Sequence, residues 1–270
     1  MPELPEVETT IQELRPDLLG RRIEGVEALW PGVVAMPPLP DFERRLQVRR
    51  IIALGRRGKF ILLSLDSGDT LIVHLRMTGH LGVVDPETPP LKHLRLRFSL
   101  DDGRELRFTD ARMFGRAYLV SDPQEVLGAL GPEPFDPTFT PQALAERLNG
   151  RRAPVKSLLL DQRLIAGIGN LYADEALFYA GISPRRPAAS LSLEEFARLH
   201  LAMQRVLWEG IEDRGTSVDN YRRPDGSKGN HGERLAVYGR TGQPCPRCGT
   251  AIERTVIGGR GTHYCPRCQV

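Results

Sequence analysis

Residues 131–141 read Gly-Pro-Glu-Pro-Phe-Asp-Pro-Thr-Phe-Thr-Pro, with four prolines in eleven positions. Proline fixes φ and removes a backbone donor, so this stretch suits neither a helix interior nor a central strand. It reads as a linker of restricted flexibility and it divides the chain. Upstream the apolar period is two. Leu94, Leu96, Phe98 and Leu100 alternate with Arg95, Arg97 and Ser99, Asp102-Gly103 turns the chain, and Leu106 and Phe108 flank Arg107. Downstream the period is helical. The expected fold class is α+β and multidomain: an N-terminal antiparallel β-sandwich over 1–130, the linker at 131–140, a helical domain over 141–232 and a small finger over 233–270.

The N-terminal region carries further strand signals. Residues 46–65 read as two strands broken by Gly55-Arg56-Arg57-Gly58-Lys59, and Asp66-Ser67-Gly68-Asp69 marks a hairpin. The apolar strand from Thr70 to Leu75 carries His74 and runs into Arg76-Met77-Thr78-Gly79. Past the linker, Thr140-Pro141 starts a helix through Leu148, and a second helix runs from about Pro154 to Leu160. Ile165-Ala166-Gly167-Ile168-Gly169-Asn170 opens a third, with Asn170 at its N-cap. Ser192 and Glu195 form a capping box for a long helix ending near Gly215. Residues 215–232 are polar, lack periodicity and read as a mobile loop.

The last segment is chemically the most specific. Cys245-Pro-Arg-Cys248 and Cys265-Pro-Arg-Cys268 hold all four cysteines, with sixteen residues between the pairs. Two C-x-x-C knuckles at this separation suit tetrahedral zinc, whereas two disulfides require an oxidising compartment. Four thiolates leave no open position, so the one zinc ion expected is structural. Its role is to stiffen a hairpin too small to fold on its own core.

Charge is uneven. Net charge is only +3, yet residues 217–270 hold nine Arg or Lys against four Asp or Glu, and the first twenty hold one Arg against five acids. A basic C-terminal part suggests a polyanionic partner. Lysine occurs only at 59, 92, 156 and 228, so arginine supplies most contacts to any phosphate. No apolar run approaches the roughly 20 residues of a membrane span, and no basic segment followed by an apolar core opens the chain, so a cytoplasmic location is expected.

The first residues, Met1-Pro2-Glu3-Leu4-Pro5-Glu6-Val7-Glu8, admit two readings. Pro5 and the acids suit the first turn of a helix whose apolar face continues through Val7, Ile11 and Leu14. Alternatively, removal of Met1 would leave Pro2 as an N-terminal secondary amine. An unperturbed α-amino group has a pKa near ~8, so part of it is nucleophilic at neutral pH. Such an amine attacks a sugar or ketone carbonyl to give a cationic iminium, with Glu3 and Glu6 close enough to move protons.

Taken together, these motifs resemble those of the bacterial formamidopyrimidine-DNA glycosylases (8-oxoguanine DNA glycosylase/AP lyase). The resemblance rests on Pro-Glu-Leu-Pro-Glu-Val-Glu at the start, Gly-Lys-Phe at 58–60, His74 with Met77-Thr78-Gly79, and Asp110 to Gly115. It continues through Gly-Ile-Gly-Asn-Leu-Tyr-Ala at 167–173 and the closing finger. It implies a helix–two-turns–helix domain over 141–232 and a zinc-ribbon hairpin. The implied partner is damaged double-stranded DNA, bound by a monomer with no small-molecule cofactor.

The implied activity is excision of oxidised purines, followed by strand cleavage through β- and δ-elimination. Pro2 would attack C1′ of the damaged nucleotide. Glu3 would transfer protons at the sugar ring, with Glu6 supporting Pro2. Lys59 joins this catalytic set and also grips phosphate, together with His74, Asn170 and Arg260; Lys156 is a further DNA-binding residue. Met77, Arg112 and Phe114 would fill the gap left by the flipped base. The loop at 215–232 would close over that base. Ala111 stands where many members of the family carry proline. Two alternatives share many of these motifs: an endonuclease VIII-like glycosylase for oxidised pyrimidines, and a non-catalytic damage-binding protein of the same fold. The intact Pro2-Glu3 pair argues against the second.

Overall fold

The computed structural model describes residues 1–89, 92–217 and 221–270. They form two compact units: Met1–Ala129 with Asp213–Asn230, and Leu130–Glu212 with His231–Val270.

The first unit opens with helix α1 (Leu4–Leu18). Pro5 lies in its first turn, where a missing N–H costs nothing, and Val7, Ile11, Leu14 and Leu18 recur along its buried face. Strands β1 (Arg22–Ala28) and β2 (Val34–Met36), helix α2 (Leu39–Leu46), and strands β3 (Arg49–Arg57), β4 (Phe60–Leu65), β5 (Thr70–His74) and β6 (Gly79–Val84) follow. Then come β7 (Leu94–Leu100), β8 (Glu105–Asp110), β9 (Arg116–Val120) and the short helix α3 (Gln124–Leu127).

The nine strands are hydrogen-bonded in the order β2-β9-β5-β4-β3-β1-β7-β8-β6. All pairings are antiparallel except that of β2 with β9. The alternation in the sequence sets the register of β7 on β8, where Leu96 faces Phe108 and Phe98 faces Leu106. Ile61 and Leu63 of β4 share one apolar core with Phe98 of β7, Phe108 of β8 and Ile11 of α1. Strands from both halves of the order thus bury side chains together, which makes this unit the expected sandwich. Each fully buried Leu, Ile or Phe contributes about 2 kcal/mol.

The second unit contains α4 (Pro141–Leu148), α5 (Val155–Leu159), α6 (Asn170–Ala180), α7 (Leu193–Glu212) and the hairpin β10 (Glu253–Ile257) and β11 (Arg260–Tyr264). Thr140 Oγ1 accepts the N–H of Ala143 at 3.2 Å to start α4. The capping box of α7 is present in both directions, Ser192 N to Glu195 Oε2 at 2.8 Å and Glu195 N to Ser192 Oγ at 3.2 Å. Buried residues occur all round α6, which makes it the central helix of the unit.

The proline-rich stretch lies within this unit and is held in place. Gly131 N donates to Gln162 O at 2.9 Å, Ala166 N to Pro132 O at 2.9 Å and Gln204 Nε2 to Pro134 O at 2.8 Å, and Phe139 is buried. Residues 213–230 follow α7 in sequence yet pack with the first unit. Of the loop expected at 215–232, residues 218–220 lie outside the described residues.

Candidate active site

At the start of α1, Pro2 is buried, and Glu3 and Glu6 are 4% and 2% exposed. Glu6 organises this end. Its Oε2 accepts the N–H of Glu3 at 2.8 Å, and its Oε1 accepts the N–H of Thr216 at 2.8 Å. Its carbonyl accepts the hydroxyls of Thr10 at 2.8 Å and Tyr221 at 3.3 Å. Burial, with the Glu6 charge beside it, raises the Tyr221 phenol well above its ordinary value, so it stays a donor. The polar segment at 213–230 is therefore tied to the first turn of α1.

Arg56 links the same helix to the β3–β4 turn. It donates to Glu8 Oε2 at 3.1 Å through Nε and to Gly58 O at 3.1 Å through one terminal nitrogen. Lys59, 5% exposed, sits in that turn. Its neighbour Phe60 pairs with His74 across β4 and β5, with the rings edge-on at 4.4 Å. Burial, then the charges of Arg76 and Lys59, pull His74 down to about 3, so it is neutral at physiological pH. Its Nδ1 accepts the N–H of Arg76 at 2.9 Å. That bond leaves the proton on Nε2, a neutral donor suited to a phosphate oxygen.

The three expected wedge residues come together. Arg112 donates to Met77 Sδ at 3.2 Å, and its guanidinium carbon lies 4.8 Å from the centre of the Phe114 ring. Phe114 is 47% exposed, which is unusual for so large an apolar side chain. Asp110, 1% exposed, builds the turn that presents them. Its Oδ1 accepts from the Thr78 hydroxyl and from Arg112 N at 3.1 Å, and its Oδ2 accepts from Gly115 N at 2.7 Å. These bonds hold Met113 in a left-handed conformation at φ 58°. Gly115 is required by close approach, because a Cβ there would collide with the ring of Phe108.

In the second unit Asn170 is not the N-cap of α6. Gly169 takes that place, and Asn170 is the first helical residue. Its side-chain Nδ2 is committed to Gly261 O of the hairpin at 3.0 Å. Arg260, the adjacent hairpin residue, is exposed. Lys156 differs from expectation. It is fully buried, with Nζ 2.6 Å from Asp174 Oδ1 and within 3.0 Å of Gly261 O and 2.8 Å of Thr262 Oγ1. A buried ammonium needs such partners, and having them it cannot reach a phosphate. Asp174 Oδ2 in turn accepts His263 N at 2.8 Å. Lys156 and Asp174 thus seat strand β11, whose Gly261 carbonyl also accepts from Asn170.

Sequence reading missed Asp174, and it missed Glu175, whose buried carboxylate accepts the N–H groups of Ala236, Val237 and Tyr238 at 2.8–2.9 Å. It also missed Gln162, which staples the two turns before α6 by accepting from Gly167 N at 2.9 Å and donating to Ile168 O at 2.8 Å. The carboxylate of Glu175 and the carboxamide of Gln162 bond backbone groups, and Asp174 pairs with residues distant in sequence; neither leaves a periodic signal.

The Sγ atoms of Cys245, Cys248, Cys265 and Cys268 all lie within 4.8 Å of one another. The pairs Cys245–Cys268 and Cys248–Cys265 are 3.9 and 3.5 Å apart, far beyond a disulfide bond of about 2.05 Å. A tetrahedron with Zn–S of about 2.3 Å requires Sγ separations near 3.8 Å. The site therefore fits one zinc ion with a closed shell, which would stiffen the β10–β11 hairpin carrying Arg260.

Residues 1–117 match the family model of the formamidopyrimidine-DNA glycosylase N-terminal domain. Residues 130–221 match that of the formamidopyrimidine-DNA glycosylase H2TH domain, and 242–270 match the zinc finger found in FPG and IleRS. A sandwich, a helix–two-turns–helix domain and a four-cysteine finger in this order define a DNA glycosylase of base excision repair. The formamidopyrimidine-DNA glycosylase of Moorella thermoacetica is 55% identical over 258 residues, covering 94% of each chain. That of Chloroflexus aggregans is 52% identical over 258 residues, covering 94% of this chain and 93% of its own. The chain belongs to the formamidopyrimidine-DNA glycosylase family, an enzyme family in which lyase activity accompanies base removal.

Solved structures agree. The MutM (Fpg) protein of Thermus thermophilus superposes with a TM-score of 0.90 at 46% identity, covering 99% of this chain and 98% of its own. The Lactococcus lactis Fpg in complex with abasic-site DNA gives 0.93 at 34% identity, covering 99% of both. Among the described residues no helix is long and apolar enough to cross a membrane.

Proposed function

We propose that this glycosylase removes oxidised purines, 8-oxoguanine and formamidopyrimidines, from duplex DNA through the amine of Pro2, freed by loss of Met1. The Pro2 nitrogen forms a bond to C1′, and the bond from C1′ to the base breaks with its electron pair leaving on the base, which takes up a proton. The nitrogen loses its proton and the sugar ring opens to an iminium, with Glu3 passing protons at the ring oxygen. The iminium acidifies C2′, and loss of that proton expels the 3′ phosphate; a second elimination expels the 5′ phosphate.

The observation that carries this reading is the burial of Pro2 and Glu3 at the end of α1, held by the two carboxylate bonds of Glu6. Lys59, neutral His74, Asn170 and Arg260 are the proposed phosphate contacts. Met77, Arg112 and Phe114 are the proposed fillers of the vacated stack, with arginine bonding the orphaned base. The segment 213–230, tied to Glu6, is the proposed cover of the flipped purine. Lactococcus lactis Fpg solved with Fapy-dG-containing DNA, at TM-score 0.92 and 34% identity, supports a damaged-duplex substrate. A monomer acting on chromosomal DNA in the cytoplasm is sufficient for this chemistry.

Cleavage of two duplexes tests the substrate class, one with 8-oxoguanine opposite cytosine and one with thymine glycol. Preferential cleavage of the first is expected. Preference for the second would assign the chain to oxidised pyrimidines.

A further inference from the structure

Residues 221–227 form a compact arm of the 213–230 segment. Arg223 N donates to Ser227 O at 2.9 Å, Gly226 N to Arg223 O at 2.8 Å, and Asp225 Oδ1 accepts Ser227 N at 2.8 Å. Besides the Tyr221 hydroxyl on Glu6 O, the arm meets α1 and β6 at three further points. The Arg223 guanidinium reaches Glu13 Oε1 with Nε at 2.7 Å and a terminal nitrogen at 2.5 Å. Both side chains are mostly covered, 16% and 20% exposed, so water screens this pair less than a surface one. His80 Nε2 lies 2.9 Å from Arg223 O. Gly82, on the same strand β6, admits the Pro224 carbonyl, which would stand 2.8 Å from a Cβ.

A cavity of about 250 Å³ remains beneath the arm, lined by Leu14, Asp17, Val83 and Asp225 among others. Beyond the buried ring of Tyr221, the arm is held by discrete polar contacts. Glu6 and Glu13 lie seven residues apart on α1, so they share a face about 10 Å apart along the axis. The segment is thus pinned twice to the helix whose first turn carries Pro2 and Glu3.

We infer that Arg223, Glu13 and His80 form a latch that registers the lesion-covering segment on α1, making them positioning residues for recognition of the damaged base. This rests on the proposed role of 213–230. An abasic site offers no base to cover, so its cleavage needs the Pro2 amine but not the latch.

The test compares two rates on one protein: excision of 8-oxoguanine opposite cytosine, and cleavage of a preformed abasic site. In Arg223→Gln and Glu13→Gln, the 8-oxoguanine rate should fall about tenfold, with abasic cleavage within about twofold of the parent. Combining both substitutions should cost little more than either alone, because they remove one interaction. The exchanged pair Arg223→Glu with Glu13→Arg should recover part of the loss. An unchanged ratio of the two rates, or an equal fall in both, would overturn the latch. Should the unsubstituted protein excise no 8-oxoguanine, the substrate reading fails first, whatever the variants do.

Discussion

Glu6 Oε1 accepts the backbone N–H of Thr216 at 2.8 Å, joining residues 210 positions apart. The other oxygen of the same carboxylate accepts the N–H of Glu3 at 2.8 Å. One acidic side chain therefore sets the first turn of α1, next to Pro2, and the polar segment that contains Thr216 against each other. An ionised carboxylate suits this place because both neighbours are donors.

Glu6→Gln turns one of these acceptors into an amide donor facing a buried N–H. The unfolding free energy should fall by about 1–3 kcal/mol in urea titration. Excision should fall with it, because the loop and the Pro2 end both lose their reference point. A variant of parental stability and rate would show that the two bonds do not matter.

Phe114 and Asp110 separate function from stability. Phe114 is 47% exposed, so Phe114→Ala should change stability by less than about 0.5 kcal/mol while base excision from duplex falls at least about tenfold. Asp110 is 1% exposed with three donors on its carboxylate, so Asp110→Asn should cost about 1–3 kcal/mol as well as activity. Thermal unfolding and single-turnover excision measure the two effects. Parental excision by Phe114→Ala would remove the wedge role.

His74 gives a pH signature. Its value falls from an ordinary 6.5 to about 3 on folding, chiefly through burial. Between these limits the unfolded chain binds a proton that the folded chain does not, so this group makes stability rise with pH and fall as pH drops. His74→Gln should flatten the stability profile between pH 3 and 6.5 by up to one proton, measured by chemical denaturation across that range. Equal slopes in the two proteins would mean that His74 is protonated in the folded state.

Zinc should be present at one ion per chain. Removing it with a chelator, or substituting Cys248→Ala, should expose the amides of β10 and β11 to hydrogen exchange and weaken DNA binding. Those of β7 and β8 should stay protected. Acid should release the ion, because thiolates must be deprotonated to hold it. Undiminished protection of β10 and β11 after metal loss would show that the hairpin folds without it.

Much of this architecture was readable from residue pattern. Pro5 with Val7, Ile11 and Leu14 marked α1, strict alternation marked β7 and β8, and cysteine spacing marked the metal site. The two capping residues Thr140 and Ser192 marked the starts of α4 and α7. Helix α2 was not read, because its eight residues with two buried anchors, Phe42 and Leu46, make too short a run to stand out from the strands around it. Nor was the parallel pairing of β2 with β9, which depends on strands far apart in sequence. The glycine-rich turn misplaced the cap of α6, since Asn170 spends its amide on Gly261 rather than on its own helix. Lys156 entered the DNA-binding set through the family resemblance, and sequence alone does not reveal a buried Asp174 beside it. The return of the segment that contains Thr216 to the first unit rests on a backbone donor, a tyrosine hydroxyl and the Arg223–Glu13 pair, contacts that leave no trace in composition.

The most direct measurement is borohydride trapping on an 8-oxoguanine duplex, followed by peptide mass spectrometry. The expected result is a covalent protein–DNA adduct on Pro2, in protein lacking Met1, and none in a variant that retains a residue before Pro2. Base release without a trapped adduct, an adduct on another residue, or full activity with Met1 still in place would contradict the Pro2 mechanism.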